Sequence, residues 1–193
     1  MPQFLPTSAR DDSRVMMFID GENLAIRYKA QLANAAPVNH VGYVRDVMVL
    51  SRFASRINGP QDFIRRHYYT SSRGGQDARD DIERQLKELG IEAPRVFPRN
   101  KAGRSKRVDI TLATEMLSHA HRKNYHIAIL VAGDEDYVPL VEAVKSEGCR
   151  VALWALESGL SSALRRSADH YWNIGDLLFK ERDSGGIFAY LYE

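Results

Sequence analysis

Two sets of carboxylates directly follow apolar runs in this chain. Asp134 and Asp136 follow the apolar run Ile127–Ala132, and Asp20 follows the apolar run Val15–Ile19. Such runs, rich in β-branched residues, Leu and Met, are typical of strands buried on both faces of a parallel sheet. Ligands of open α/β sheets bind beyond the carboxyl ends of the strands. The acids therefore stand where a binding site is expected.

These carboxylates, together with Asp109 from a predicted helix, predict a divalent metal site. Two like charges about 4 Å apart repel by about 4 kcal/mol at an effective dielectric constant near 20, so an unneutralised cluster would destabilise the fold or take up protons. A divalent cation removes this repulsion. Hard oxygen ligands favour Mg²⁺ or Mn²⁺ over zinc, and Mg²⁺ usually keeps waters that it can activate as nucleophiles. The predicted metal ligands are Asp20, Asp109, Asp134 and Asp136.

Several of these acids also have an ordinary structural explanation. Pro139 is tolerated only in a first helical turn, which places a helix start near Asp136 and predicts that residue as an N-cap. Asp109 stands in the first turn of a predicted helix, where an acid is favourable without any ligand role. Glu115 does not share the helical face of Asp109 and is expected at most to flank the site. Glu22 is expected to point to solvent.

A basic segment precedes Asp109. Between Arg95 and Arg107 six residues are basic and none is acidic. Charge runs are usually solvated faces, but Lys and Arg also neutralise phosphates without reading sequence. Aromatic residues nearby, such as Tyr68, Tyr69 and Phe97, could stack on unpaired bases, although such aromatics more often belong to a core. The residues predicted to bind nucleic acid through its phosphates are Arg99, Lys101, Arg104, Lys106 and Arg107.

Composition limits the class of protein. The 193 residues, 44% of them hydrophobic, fit one domain with a substantial core. No run reaches the length of a membrane helix, and the amino terminus lacks the layout of a signal peptide, so we expect a cytoplasmic protein. The single cysteine, Cys149, excludes an internal disulfide and a Cys-based zinc site. The net charge of +2 says little about partners.

Predicted strands and helices alternate along the chain, which predicts an α/β fold: a three-layer sandwich with a mainly parallel central sheet and right-handed crossovers. We expect strands at 15–19, 63–70, 93–97, 127–132, 150–156 and 170–174. We expect helices at 24–32, 41–57, 77–89, 108–121, from about 136, and at 161–168. Residues 1–13 are interpreted as a loose lead-in, and residues 183–193 as a tail that packs either on the body or on a partner, as in a homodimer.

The assembled motifs resemble the NYN domain, a branch of the PIN-like nuclease superfamily, and more narrowly its bacterial LabA-like members. The family's Ile-Asp-Gly-Glu-Asn-Leu is matched by Ile19–Leu24 and its Lys-Gly-Val-Asp by Lys106–Asp109. Its Ser-Gly-Asp-x-Asp-Phe is matched by Ala132–Tyr137. Three motifs in the correct order make this resemblance specific, and it covers residues 14–174.

The resemblance implies a PIN-like domain at residues 14–182 and metal-binding or catalytic roles for the four aspartates, with Asn23 orienting water or substrate. Members of this superfamily are typically metal-dependent ribonucleases. The sequence departs from the family pattern without losing a carboxylate, at Arg107 for Gly, Ala132 for Ser and Tyr137 for Phe.

The sequence therefore predicts a Mg²⁺- or Mn²⁺-dependent endoribonuclease that cuts RNA, with single-stranded RNA as the expected partner. The catalytic residues predicted on this basis are Asp20, Asn23, Asp109, Asp134 and Asp136. One alternative is a non-catalytic RNA-binding or regulatory module with the same fold. Another is a phosphatase, suggested by the spacing of Asp134 and Asp136, but that class expects Asp-x-Asp after the first strand, where this chain has Asp-Gly-Glu.

Overall fold

The computed structural model describes residues 14–34, 42–44, 47–49, 62–99 and 106–179. The strands are β1 (Arg14–Asp20), β2 (Gly42–Val44), β3 (Val47–Val49), β4 (Asp62–Ser72), β5 (Ala93–Pro98), β6 (Ile127–Val131), β7 (Arg150–Ala155) and β8 (His170–Asn173). The helices are α1 (Gly21–Leu32), α2 (Gln76–Glu88), α3 (Lys106–His121), α4 (Val138–Ser146), α5 (Ser162–Ser167) and α6 (Gly175–Phe179). A 3-10 turn, Glu135–Tyr137, precedes α4.

Six of the strands form one parallel sheet in the order β5-β4-β1-β6-β7-β8. From the central strand β1, the strands follow in the order β4 and β5 on one side of the sheet. The next strand, β6, lies on the other side of β1 and is followed there by β7 and β8. This is the strand order of doubly wound α/β proteins, in which ligands bind where the direction of building reverses. The reversal lies between β1 and β6, the two strands that end in the predicted acids. The predicted α/β sandwich with a parallel central sheet is confirmed.

The two central strands are buried on both faces, as their continuous apolar sequences predict. Side chains of Val15, Met17 and Ile19 face one core, which they share with α1 and α2. Met16 and Phe18 face the other core, which they share with α3 and α4. The register pairs Val15 with Ile127 and continues to Ile19 with Val131, so both strands reach the same edge of the sheet together.

The helix predicted at 41–57 is wrong where the structure describes it. Residues 42–44 and 47–49 are instead two short antiparallel strands. The segment is rich in Val, and β-branched apolar residues fit a strand as readily as a helical spacing. The remainder of that prediction, the lead-in at 1–13 and the tail at 183–193 lie outside the described residues. Within the described part of the chain, no helix is long and apolar enough to cross a membrane.

Candidate active site

Asp20 ends β1 and begins α1. Its side chain is only 2% exposed, and its Oδ1 accepts a hydrogen bond of 2.9 Å from the backbone N–H of Asn23, so Asp20 is the N-cap of α1. The next residue is glycine because a Cβ there would lie 2.4 Å from Cε1 of the buried Tyr68 ring. Gly21 therefore lets the helix start directly at the carboxylate.

The hydroxyl of Tyr137 connects Asp20 to Asp109. It lies 2.9 Å from Oδ2 of Asp20 and 3.2 Å from Oδ1 of Asp109. Asp109 comes from the first turn of α3, and Tyr137 comes from the 3-10 turn after β6 and is 3% exposed. One hydroxyl hydrogen thus serves two carboxylates from different elements, which places the two acids in one cluster.

Burial dominates the electrostatics of Asp20. Loss of solvent raises the pKa of its carboxyl to about 7, although the hydrogen bonds from Asn23 and Tyr137 lower it. The negative charges of Asp109 and Glu22 raise it further. A carboxyl with this pKa is held in surroundings that oppose its negative charge.

Asp109 experiences the same excess of negative charge. Burial raises its pKa, and the neighbouring charges of Glu22, Asp134 and Asp136 raise it as well, against the hydrogen bond from Tyr137. The acids that were predicted from three separate stretches of sequence therefore act on one another in the folded chain. Their mutual repulsion is the property that a cation would relieve.

Glu22 belongs to this cluster, and the expectation that it points to solvent is wrong. Ser71, near the end of β4, donates its hydroxyl to Oε1 of Glu22. The reason is that α1 starts immediately after Asp20, so its first turn lies beside the neighbouring strand β4. Arg99 completes this arrangement, since its Nε donates to Oγ of Ser71 at 3.1 Å and its Nη2 donates to the Ser71 carbonyl at 2.8 Å.

Asp134 is paired with an arginine that the sequence did not single out. Nη2 of Arg27, on α1, lies 2.9 Å from Oδ1 of Asp134. Asp136 is exposed, and its predicted role as a helix N-cap is wrong, because it lies inside the 3-10 turn and the residue before α4 is Tyr137. Pro139 does stand in the first turn of α4, but the extra turn before that helix moves the cap position one residue along.

Asn23 lies between the ends of the two central strands. It is 7% exposed, and its Oδ1 would lie 3.4 Å from a Cβ placed on Gly133. The Asn23 side chain therefore lies in contact distance of the segment that carries Asp134 and Asp136.

Glu115 forms a separate ionic group further along α3 than Asp109. Oε2 accepts a hydrogen bond of 2.8 Å from the hydroxyl of Tyr69, and Oε1 accepts one of 3.1 Å from Nε of Arg95. Nδ1 of the buried His67 lies 3.3 Å from Oε2. Burial would raise the pKa of Glu115, but its hydrogen bonds outweigh that effect and lower the pKa to about 2. The negative charge of Glu115 is thus stabilised by the side chains that surround it.

The predicted RNA-binding residues are only partly described. Arg107 is exposed, and its guanidinium carbon lies 5.4 Å from the centre of the Phe97 ring, an arrangement typical of cation–π contacts. Arg99 is bound to Ser71, as stated above, and Lys106 begins α3. Lys101 and Arg104 lie outside the described residues. Tyr68 and Tyr69 are fully buried, so neither ring is available for stacking on bases.

The acidic site, by which we mean Asp20, Asn23, Asp109, Asp134 and Asp136, offers ligands whose chemistry fits Mg²⁺ or Mn²⁺. It consists of carboxylate oxygens with one amide, and burial, together with the neighbouring negative charges, raises the pKa of Asp20 and Asp109. The described residues nonetheless contain no group of three or more His, Cys, Asp or Glu side chains positioned to hold a metal ion. Both oxygens of Asp20 and Oδ1 of Asp109 and of Asp134 are instead hydrogen-bonded, to the backbone of Asn23, Tyr137 and Arg27.

Comparisons with known proteins agree with this architecture. A sequence profile of the NYN domain matches residues 14–175. A solved structure of a protein of unknown function from Vibrio parahaemolyticus matches with a TM-score of 0.63 at 17% identity, covering 91% of this chain and 100% of that chain. This likeness shows a shared fold. A xylose isomerase-like TIM barrel/4-hydroxyphenylpyruvate dioxygenase fusion protein matches at 15% identity with a TM-score of 0.24, covering 82% of this chain and 25% of that chain, which is too weak to support an argument. No curated protein matches the chain.

Proposed function

Since this chain belongs to the NYN domain family, we propose that it is a Mg²⁺- or Mn²⁺-dependent endoribonuclease that hydrolyses phosphodiester bonds of RNA at the acidic site. Family membership points to a nuclease-like function directed at RNA. The observation that supports the finer proposal is the meeting of Asp20 and Asp109 at one hydroxyl, between the two strands where the sheet reverses its direction of building.

The residues that would hold the cation are Asp20, Asp109, Asp134 and Asp136. A bound Mg²⁺ or Mn²⁺ would supply Lewis acidity, which polarises a phosphate and lowers the pKa of water. Asp20 is fixed for this role by α1, whose first turn it caps, and by the Tyr137 hydroxyl. Asn23 would orient water or substrate, because its side chain lies beside Gly133 at the same edge.

The basic segment would hold the RNA backbone. Arg107 is exposed in the first turn of α3, the turn that also carries Asp109, so a phosphate bound by Arg107 would lie at the same end of the helix as the acidic site. Lys101, Arg104 and Lys106 would extend this surface along the chain, and Arg99 would anchor the segment to β4 through Ser71. Contacts of this kind bind RNA without regard to its sequence.

A non-catalytic RNA-binding module is the second candidate. It is favoured by the internal hydrogen bonds that occupy the acids in the described part of the chain, where no ready-made metal site exists. In that case the carboxylates would serve structure alone. The two candidates differ in whether a cation binds and whether RNA is cut.

Binding of a divalent cation should stabilise the folded protein, because an ion that binds only the folded state shifts unfolding by mass action. At a concentration 100 times its dissociation constant the ion would add about 2.7 kcal/mol. We expect Mn²⁺ at millimolar concentration to raise the melting temperature of the wild type and to have a much smaller effect on Asp134→Asn. The measurement is thermal unfolding with Mn²⁺ and with EDTA. Equal responses of the two proteins would remove Asp134 from the site.

Removal of two basic side chains should weaken RNA binding in a salt-dependent way. Each lost phosphate contact lowers the slope of log affinity against log salt by about 0.7 for single strands, so a Lys101→Ala/Arg104→Ala protein should lose about 1.4 from that slope. Binding to unrelated RNA sequences should weaken equally. Titrations of labelled single-stranded RNA across salt concentrations measure this. A slope identical to that of the wild type would identify the segment as a solvated face.

A further inference from the structure

Arg27 is a positively charged side chain that contacts the acidic site in the described part of the chain. It lies on α1, and its guanidinium donates to Asp134 at 2.9 Å. The side chain is 32% exposed and that of Asp134 is 40% exposed, so the pair lies at the opening of the site. The pair is therefore accessible both to a cation and to a ligand of opposite charge.

The Arg27 guanidinium packs against the backbone of the loop after β7. A Cβ at Gly159, in the loop after β7, would lie 2.1 Å from Nη1 of Arg27. Gly159 has a φ of +77°, which disfavours other residues. The loop is attached to the segment after β6 by a hydrogen bond from Ser161 N–H to the Gly133 carbonyl. The guanidinium thus lies directly against the backbone at Gly159, where no side chain separates the two.

Arg27 also has unused hydrogen-bonding capacity. It lines a cleft with Asn23, Gly133 and Trp154 at the carboxyl ends of β6 and β7. Nε of Arg27 and Nε1 of Trp154 are buried and find no hydrogen-bond partner in the described part of the chain. Both atoms are N–H donors that cannot accept. Any partner must therefore supply an acceptor, and the oxygens of a phosphate are acceptors.

A cation bound by Asp134 would change the state of Arg27. The guanidinium and the cation carry charge of the same sign and would share one carboxylate, so each weakens the binding of the other. A guanidinium released from Asp134 remains next to the cation, where the phosphate of a bound RNA strand would lie. Arginine is suited to this ligand because its fork of donors matches phosphate oxygens.

We propose that Arg27 is a phosphate-binding residue of this site, which Asp134 holds until a divalent cation displaces it. The inference rests on the function proposed above, because it takes the cation site and the RNA substrate from there. It adds a residue on α1 that contacts substrate and makes cation binding and RNA binding cooperative. Cooperativity of this type is reciprocal, so the cation should strengthen RNA binding as much as RNA strengthens cation binding.

The first test is the affinity of the RNA-free protein for Mn²⁺, measured by isothermal titration calorimetry. Arg27→Met keeps the length of the side chain and removes its charge, so we expect Mn²⁺ to bind about tenfold more tightly than to the wild type. The matched control is Arg84→Met, which removes an arginine whose ion pairs lie within α2. That variant should bind Mn²⁺ as the wild type does. Equal affinities of Arg27→Met and wild type would overturn the proposal.

The second test is binding of a fluorescein-labelled 12-nucleotide single-stranded RNA, by anisotropy, in Mn²⁺ and in EDTA, with gels to verify that the RNA is intact. The wild type should gain affinity on addition of Mn²⁺, and Arg27→Met should lose about tenfold of that gain. Arg27→Lys, which retains the charge, should bind Mn²⁺ as weakly as the wild type. Arg27→Gln, which removes the charge, should bind Mn²⁺ as tightly as Arg27→Met, and it decides the question if the Met variant does not fold. An unchanged gain in Arg27→Met would refute the role in phosphate binding. A wild type that binds no Mn²⁺ would refute the proposed cation site itself.

Discussion

Replacement of Asp20 by asparagine is expected to reduce RNA cleavage by about 100-fold or more. Loss of a group that only orients a metal ligand typically costs about 10- to 100-fold, so loss of a ligand should cost at least the upper value. Asparagine retains the size of the side chain and an oxygen that can accept from the backbone N–H of Asn23. The variant should therefore fold normally while losing the negative charge that the cation requires.

Cleavage of labelled single-stranded RNA in Mn²⁺ measures this effect, with EDTA as the control for the cation. Asp80→Asn is the matched control variant, because it removes a carboxylate from the exposed surface of α2 and should cut RNA at the wild-type rate. Cleavage that survives EDTA, or an Asp20→Asn protein as fast as the wild type, would contradict the mechanism. A wild type that binds RNA but never cuts it would favour the non-catalytic module.

The central part of the fold could be predicted because its signals are local. The apolar runs of β1 and β6 can each be read without knowledge of the other, and a strand buried on both faces belongs to a parallel sheet. The rule that ligands bind at the carboxyl ends of such strands then placed Asp20 and Asp134 at one edge. The pairing of β1 with β6 brings those two strand ends together.

The partners of the acids could not be predicted, because they come from distant parts of the chain. Arg27 is 107 positions from Asp134, and Tyr137 is 117 positions from Asp20. A single arginine on a predicted helix carries no signal of such a contact. For Tyr137 a signal existed: the family pattern has phenylalanine there, and the additional hydroxyl is the atom that contacts both Asp20 and Asp109.

The errors at Glu22 and Asp136 have a common origin in the exact start of a helix. Helix ends are difficult to place from sequence to better than a residue or two. Because α1 begins at Gly21, Glu22 stands in its first turn beside Ser71. Because a 3-10 turn precedes α4, Asp136 lies within that turn and is left exposed.

The contribution of Asp20 to the stability of the cation-free protein is expected to fall as pH rises from about 4 to about 7. Burial raises the pKa of Asp20 from 3.8 to about 7, so the folded state holds this proton more tightly than the unfolded state does. Below pH 3.8 the Asp20 carboxyl is protonated in both the folded and the unfolded state, so its contribution to the free energy of unfolding does not change with pH. Ionisation of the unfolded chain then lowers the free energy of unfolding until the folded protein ionises as well. The rise of the Asp20 pKa from 3.8 to about 7 corresponds to about 4 kcal/mol in the free energy of unfolding.

Asp20→Asn should abolish most of this loss, since its side chain does not titrate. In EDTA we expect the variant to match the wild type near pH 4 and to exceed its free energy of unfolding by up to about 4 kcal/mol near pH 8. Denaturant titrations at a series of pH values measure the difference. Glu115→Gln is the opposite control: its lowered pKa of about 2 means that Glu115 stabilises the fold above about pH 4.5 and loses that effect as pH falls towards 2, so this variant should be less stable at pH 7. An Asp20→Asn protein that is less stable than the wild type at pH 8 would identify Asp20 as a structural aspartate, and the argument that the site is built for a cation would fail.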